Sequence, residues 1–315
     1  MIRMLLSLVL ATRALAAHAQ AWPAKPIRVI IAFAPGGSLD FVTRTISERL
    51  TQDLGQPLVL ENRAGANGNL AADFVAKQAP DGYTVLASAD ALVSGAHLYK
   101  LGFDPMKDFV PVIQFTRQPL VLAVHPSLGV NNVAELIAVA KAKPGLGYAT
   151  SGSGSGQHMV GEWLAKLAGV KLTHVPYKGG GQAITDLVGG QVQIGSLGST
   201  PVIPHYKAGK LKIIAQTTAT RSSSLPEVPT YQESGVPILL DQWLGFVVPA
   251  GTSPDIVKRL NASTAKALAE PAIREKLAPQ GLDVVAGSPE QFARVYREDY
   301  EKYGRLVKEL NIKLD

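Results

Sequence analysis

From Trp22 onward, short apolar runs alternate with stretches whose apolar residues recur every three or four positions. This alternation of strand and helix periods predicts an α/β protein with largely parallel sheets. The run from Ile27 to Phe33 reads as a strand. Phe41, Val42, Ile46 and Leu50 then share one helical face, and Gly55 is placed to end that helix. Pro57 to Leu60 reads as a strand, Asn62 to Gly68 as a polar turn and Asn69 to Gln78 as a helix. The turn Pro80-Asp81-Gly82 then leads into a strand from Tyr83 to Ser88.

Around residues 102–109 the pattern lapses into connecting chain, and the apolar run from Leu120 to His125 restarts it, which places a domain crossover there. A helix from Asn132 to Lys143, a strand from Gly147 to Thr150, a glycine-serine loop and a helix from Gln157 to Ala168 repeat the order of residues 27–54. Strands at Lys171 to Tyr177, Val192 to Leu197 and Leu211 to Gln216 alternate with helices at Gly180 to Val188 and Pro201 to Ala208. Leu225 to Thr230 is a proline-punctuated surface connection, and the strand from Trp243 to Val248 carries the chain back. Thr252 to Leu277 reads as one helix or as two broken near Pro271. The strand Leu282 to Val285 and an amphipathic helix from Pro289 to Leu310 complete the pattern. Two lobes, 22–123 with 244–315 and 124–243, joined by two crossover segments, imply an interlobe cleft, where small ligands usually bind.

Two strand-to-helix junctions carry the candidate chemistry. The first is Ala34-Pro35-Gly36-Gly37-Ser38-Leu39-Asp40. Such a turn leaves N–H groups at the helix N-terminus without intrahelical partners, and the helix dipole adds partial positive charge, so an anion is the natural ligand. Gly36 and Gly37 allow close backbone approach, while Ser38 or Asp40 can cap the helix. The second junction is Thr150 to His158. It fails the G-x-G-x-x-G dinucleotide fingerprint, because residue 157 is glutamine, and it fails G-x-S-x-G on both sides. What survives is a donor-rich loop in which backbone N–H groups and the hydroxyls of Ser151, Ser153 and Ser155 hold carboxylate oxygens. His158, in the first turn of the following helix, is expected to be neutral and structural, because the dipole there disfavours imidazolium. Asp40 is favoured as a cap over a ligand contact.

Composition narrows the class. With 46% hydrophobic and 18% charged residues the chain is globular, and its net charge of +6 is scattered, with no stripe for nucleic acid. There is no cysteine, and the six histidines are spread singly without an H-E-x-x-H pattern, so neither metal nor cofactor is implied. Arg3, an apolar run and the small residues Ala17, Ala19 and Ala21 mark residues 1–21 as a signal peptide, so the protein is expected to be exported. Arg13 interrupts an apolar segment already shorter than the roughly 20 residues that span a bilayer.

The chain resembles the periplasmic solute-binding receptors of tripartite tricarboxylate transporters, the Bug family, along essentially its whole length. The matching strings include Trp22 to Ile27, Pro35 to Asp40, Glu61 to Gly68, Pro80 to Tyr83, Asp104 to Phe109, Ser151 to His158, Val175 to Gly179 and Lys207 to Leu211. The resemblance implies a type II-like Venus-flytrap fold, a periplasmic location, a small carboxylate ligand and delivery to the permease subunits of a membrane transporter; a monomer is expected. It makes Gly36, Gly37, Ser38, Ser151, Ser153 and Ser155 contact candidates, with Ser88 at a strand end on the same edge. The chain departs from the family's pattern at Gly95-Ala96, at Gln182-Ala183 and at Asp90. A carboxylate at residue 90 would repel an anion unless turned away, which points to a less charged or amino-bearing acid. Two rival readings stay open at this level: an exported α/β hydrolase using a loop serine with His158, and a sensory module that presents its closed form to a membrane kinase.

Overall fold

The computed structural model describes residues 22–314, so the expected signal peptide lies outside the described residues. The first lobe is built on three parallel strands in the order β2 (Leu58–Asn62), β1 (Ile27–Ile31), β3 (Thr84–Ala89), and the second on β7 (Ile194–Gly198), β5 (Leu146–Thr150), β6 (Leu172–Pro176). Between the two sets lies an antiparallel spine of β9 (Asp241–Pro249) and the long β4 (Phe109–Val124). Strand β8 (Lys212–Gln216) pairs with the C-terminal end of β4, and β10 (Asp283–Val284) pairs with its middle, at Thr116 and Arg117. The sheet is therefore less parallel than the alternation of elements suggested.

β4 joins the lobes. Its residues Phe109 to Pro119 pair with β9, and Leu120 to Val124 pair with β7 and β8. Sequence reading placed only the second half as a strand. The first half contains Pro111 and Pro119, which argue against a central strand, and the polar residues that alternate along it, Gln114, Thr116 and Gln118, are themselves buried. The register with β9 shifts after Pro111, which lets the ladder continue past the missing N–H. Because pairing changes between Pro119 and Leu120, and β9 begins at Asp241, we take residues 22–119 and 241–314 as the first lobe and 120–240 as the second.

Helices cover both faces. α1 (Ser38–Leu54) buries Leu39, Val42, Ile46, Leu50 and Leu54, and ends at Gly55 in the left-handed region, whose N–H reaches Thr51. It starts at Ser38, ahead of the predicted Phe41, because Gly37 is the extended residue before the first turn. α2 (Asn69–Ala76), the single-turn α3 (Ala91–Ser94), α8 (Pro254–Ala269) and α9 (Pro271–Leu277) complete the first lobe, while α4 (Val133–Ala142), α5 (Gly156–Ala168), α6 (Gly180–Val188) and α7 (Ser199–Lys207) surround the second. α10 (Pro289–Leu310) opens on a capping box formed by Ser288 and Gln291 and packs Phe292 and Tyr296 against Trp243. No helix among the described residues is long and apolar enough to cross a membrane.

Candidate functional site

Four helix N-termini meet at one interlobe cavity. Gly37 and Ser38 of α1, Gln157 of α5, Gly180 of α6 and Gly198 before α7 all line it. Each is the end of a strand-glycine-helix junction or the first turn beyond one, where backbone N–H groups lack intrahelical acceptors. About 380 Å³ within this space and at its open mouth is not filled by atoms, and about 30 Å³ of it admits the centre of a water molecule. Phe33, Leu39, Ala89, Leu244 and Pro201 supply apolar walls, and no lysine or arginine lines the cavity. Negative charge there would be held by dipoles and hydrogen-bond donors.

The lobes are closed over this space. Ala34 N donates to Lys178 O at 3.1 Å, Ser94 Oγ to Gly154 O at 2.7 Å, and Tyr99 OH to Ser153 O at 2.8 Å. At the opposite rim Thr200 Oγ1 lies 3.1 Å from Gln280 O. Glycines allow this approach: a Cβ on Gly181 would lie 2.2 Å from Pro35 O, and one on Gly179, whose φ is +154°, would lie 3.0 Å from Ala34 N.

The sequence candidates divide in place. Gly37, Ser38, Asp40 and Ser151 line the cavity. Ser38 Oγ has no hydrogen-bond partner among the described residues and is free to donate. The carboxylate of Asp40 is saturated by Arg44 Nε at 2.8 Å, Asn62 Nδ2 at 3.0 Å and Gly36 N at 3.1 Å, so it clamps the turn from the first turn of α1. Gly36 thus spends its N–H on Asp40, and it faces the outer groove beside Arg44 and His205. Ser151 N donates to Gln157 Oε1 at 2.8 Å. Ser153 lines an adjoining interlobe space with Asn67 and Tyr177. Ser155 caps α5: its Oγ accepts from His158 N at 3.2 Å and donates to Gly152 O at 2.7 Å. Ser88 is buried opposite Gly245, and its neighbour Ala89 faces the cavity, as alternation along a strand requires.

His158 is neutral for a reason different from the one expected. Burial pulls it down to about 4, and burial with the neighbouring His158 ring pulls His174 down to about 3. The two rings stack with centroids 3.8 Å apart. His158 Nδ1 accepts the N–H of Gly154 at 3.1 Å, and Nε2 lies 3.8 Å from Glu162, whose carboxylate accepts Tyr148 OH at 2.6 Å. His158 therefore supports the glycine-serine loop from below. The hydrolase reading fails here, because Ser155 meets the backbone N–H of His158 and no serine hydroxyl is bonded to the ring among the described residues.

The stacked pair gives a pH prediction. Both rings have folded pKa values below the ordinary 6.5, so their contribution to stability is complete above pH 6.5 and is lost as pH falls through about 4 and then about 3. Asp90, raised to about 6 by burial, acts in the opposite sense between 3.8 and 6. Comparison with a His174→Phe variant isolates the share of His174: its unfolding midpoint should change less than the wild type's between pH 7 and pH 4.5. Equal pH slopes would refute the assignment.

Asp90 does not face a ligand. It is fully buried, accepts from Gln242 Nε2 at 2.8 Å and from Tyr303 OH, and is absent from the cavity lining. It gives no reason to expect a less charged solute. Sequence reading missed Gln157, Gln242, Gly180, Gly198 and the apolar walls. The glycines were findable, since the strand-glycine-helix signal used for residues 36–38 also occurs at Gly179-Gly180 and Gly198-Ser199. Gln242 and Leu244 carry no local signal, being brought in by the return strand.

Comparison with known proteins matches this architecture. The model of the tripartite tricarboxylate transporter family receptor matches residues 42–312. The protein BugT of Bordetella pertussis is 36% identical and covers 98% of this chain and 97% of its own length. The structure of Rpa4515 of R. palustris with adipate is 34% identical, with a TM-score of 0.89, over 93% of this chain and 99% of that one. MatC of Rhodopseudomonas palustris with bound malate is 32% identical, with a TM-score of 0.87, over 91% and 100%. A closed, donor-lined cleft between two α/β lobes and near-full-length likeness lead to one conclusion: the chain belongs to the tripartite tricarboxylate transporter receptor family and is a solute-binding receptor, not an enzyme.

Proposed function

We propose that this receptor captures a small carboxylated solute in the periplasm and passes it, as a monomer, to the permease subunits of a tripartite tricarboxylate transporter. The observation that carries the reading is the convergence of four helix N-termini on an interlobe cavity without basic side chains. A carboxylate at one such terminus gains about 0.3–1 kcal/mol when exposed and up to about 2 kcal/mol when partly buried. Several acting together on a desolvated group can approach the roughly 8 kcal/mol of a micromolar complex. Ser38, Ser151 and Gln242 add side-chain polarity, and Phe33, Leu39, Ala89, Pro201 and Leu244 fit an aliphatic or aromatic body. Adipate and malate in the two related structures have the same chemistry, carboxylates on a short carbon chain. Binding would shift an open population toward the closed form described here. Presentation to a membrane kinase would use the same closure, and the family assignment favours the permease.

The test is a thermal-shift screen of residues 22–315 against mono-, di- and tricarboxylates, aromatic acids, acidic amino acids and the corresponding carboxamides. A solute at one hundred times its Kd should add roughly 2.7 kcal/mol. Gly37→Phe, which drives a ring into the cleft beside Gly180, should remove that stabilisation while the circular dichroism spectrum is unchanged. A screen in which carboxamides stabilise as well as carboxylates, or in which Gly37→Phe responds like wild type, would reject the reading.

A further inference from the structure

A buried hydrogen-bond chain runs from the second lobe, through the hinge, to the cavity wall. Thr200 Oγ1 donates to Gln118 Oε1 at 3.0 Å, Gln118 Nε2 donates to Gln242 Oε1 at 2.7 Å, and Gln242 Nε2 donates to Asp90 Oδ1 at 2.8 Å. Gln118 and Gln242 are cross-strand neighbours on β4 and β9, beside the point where β4 changes lobes. All four residues are at least 95% buried: Asp90 is 0% exposed, Gln118 1%, Thr200 4% and Gln242 5%. Of the chain, Gln242 reaches the cavity lining.

The direction of the chain follows by elimination. An ionised carboxylate only accepts, so Gln242 must turn Nε2 toward Asp90 and Oε1 toward Gln118. Gln118 must then offer Nε2 to Gln242 and Oε1 to Thr200, whose hydroxyl donates. The reversed arrangement would set the carbonyl of Gln242 against the carboxylate. Once these bonds are made, Gln118 Nε2 and Gln242 Nε2 each keep a second N–H, and of the two amides Gln242 is the one at the cavity wall. A donor therefore remains on the cavity wall, where an undirected amide would offer donor or acceptor alike.

We propose that Gln242 is a specificity-determining contact of the receptor and that Asp90 is the positioning residue that fixes its amide with the N–H toward the solute. The inference rests on the carboxylate-receptor reading above and deepens it. It also gives a role to the carboxylate at residue 90: Asp90 selects for acceptor oxygens from outside the cavity. Tyr303 OH donates to the other oxygen of Asp90 and holds it in place.

The experiment compares isothermal titrations of residues 22–315 and three variants with each carboxylate that scores in the screen and with its carboxamide. Asp90→Asn presents both a donor and an acceptor to Gln242, so the amide can reverse. Carboxylate affinity should fall and the preference for carboxylate over carboxamide should narrow by about tenfold, the scale of one hydrogen bond to a charged group. Gln242→Met keeps the volume, removes the contact and should narrow the preference to the same extent. Tyr303→Phe leaves Asp90 an acceptor and should keep the preference even if the protein is less stable, which a merely structural role for the cluster would not predict. A measurement without solute covers misfolding of a variant: Asp90→Asn should move the side-chain amide NMR signals of both Gln242 and Gln118. An unchanged preference in Asp90→Asn, or a Gln118 signal that stays put, overturns the inference. Absence of carboxylate binding by the wild type would instead overturn the functional reading, and this inference with it.

Discussion

Gly181→Ala is expected to weaken solute binding by about 100-fold, some 2.7 kcal/mol, while leaving the stability of the empty protein nearly unchanged. A Cβ at this position would lie 2.2 Å from Pro35 O and 3.2 Å from Gly36 Cα, atoms of the opposite lobe's backbone that cannot step aside as a flexible side chain would. The lobes must then stay apart at the rim where the N-termini of α1 and α6 converge. Partial charge at a helix end is felt within its first turn, so even a small separation removes much of the attraction. Gly181 lies in the first turn of α6 and has no positive φ, so alanine suits the helix itself and is the better helix former. The neighbouring Gly37 provides the contrast: its added Cβ would lie 3.5 Å from Gly180 N, an ordinary contact, and Gly37→Ala should bind nearly as wild type. Isothermal titration and a thermal melt of the empty protein check both halves of the expectation, and small-angle scattering with solute reads the closure. A Gly181→Ala protein that closes and binds normally would show that the closed form does not need this contact.

Much of this architecture was legible because its determinants are local. Ser288, Pro289 and Gln291 announce the start of α10, and the predicted limits of that helix match its observed ones. The glycine turn before Ser38 and the glycine-serine loop before α5 likewise mark helix starts, and both border the cleft. Side-chain roles were less legible. Ser155 read as a ligand contact and Asp40 as a cap, and only their partners show otherwise: Gly152 O and His158 N make Ser155 the cap of α5, while Arg44, Asn62 and Gly36 make Asp40 a clamp on the turn behind Gly37. The first half of β4 was missed because its prolines imitate a loop, and the short alternation at Gln114, Thr116 and Gln118 is too brief to outweigh them. Hidden most deeply was the chain through Asp90, Gln118, Thr200 and Gln242, whose members are far apart in sequence and meet only when two crossings are complete.

Gly161→Ala should have the largest effect on stability. Its added Cβ would lie 2.2 Å from Tyr148 Cε2 and 2.5 Å from Cζ, and that ring is 1% exposed. A close-packed interior can relieve such overlap only by moving the ring or the helix, at a typical cost of 1–3 kcal/mol, or about 3–10 °C in Tm for a chain of this size. The displacement would not stop at the core. Tyr148 bonds Glu162 and packs beside the stacked rings of His158 and His174, and His158 holds Gly154 of the cleft loop. Binding should therefore weaken together with stability, although residue 161 does not line the cavity. Tyr148→Ala in the same background should recover part of the loss, because the clash goes with the ring even though its burial is also lost. A double-mutant cycle gives the coupling directly, and losses that simply add would mean that Gly161 is not required by Tyr148.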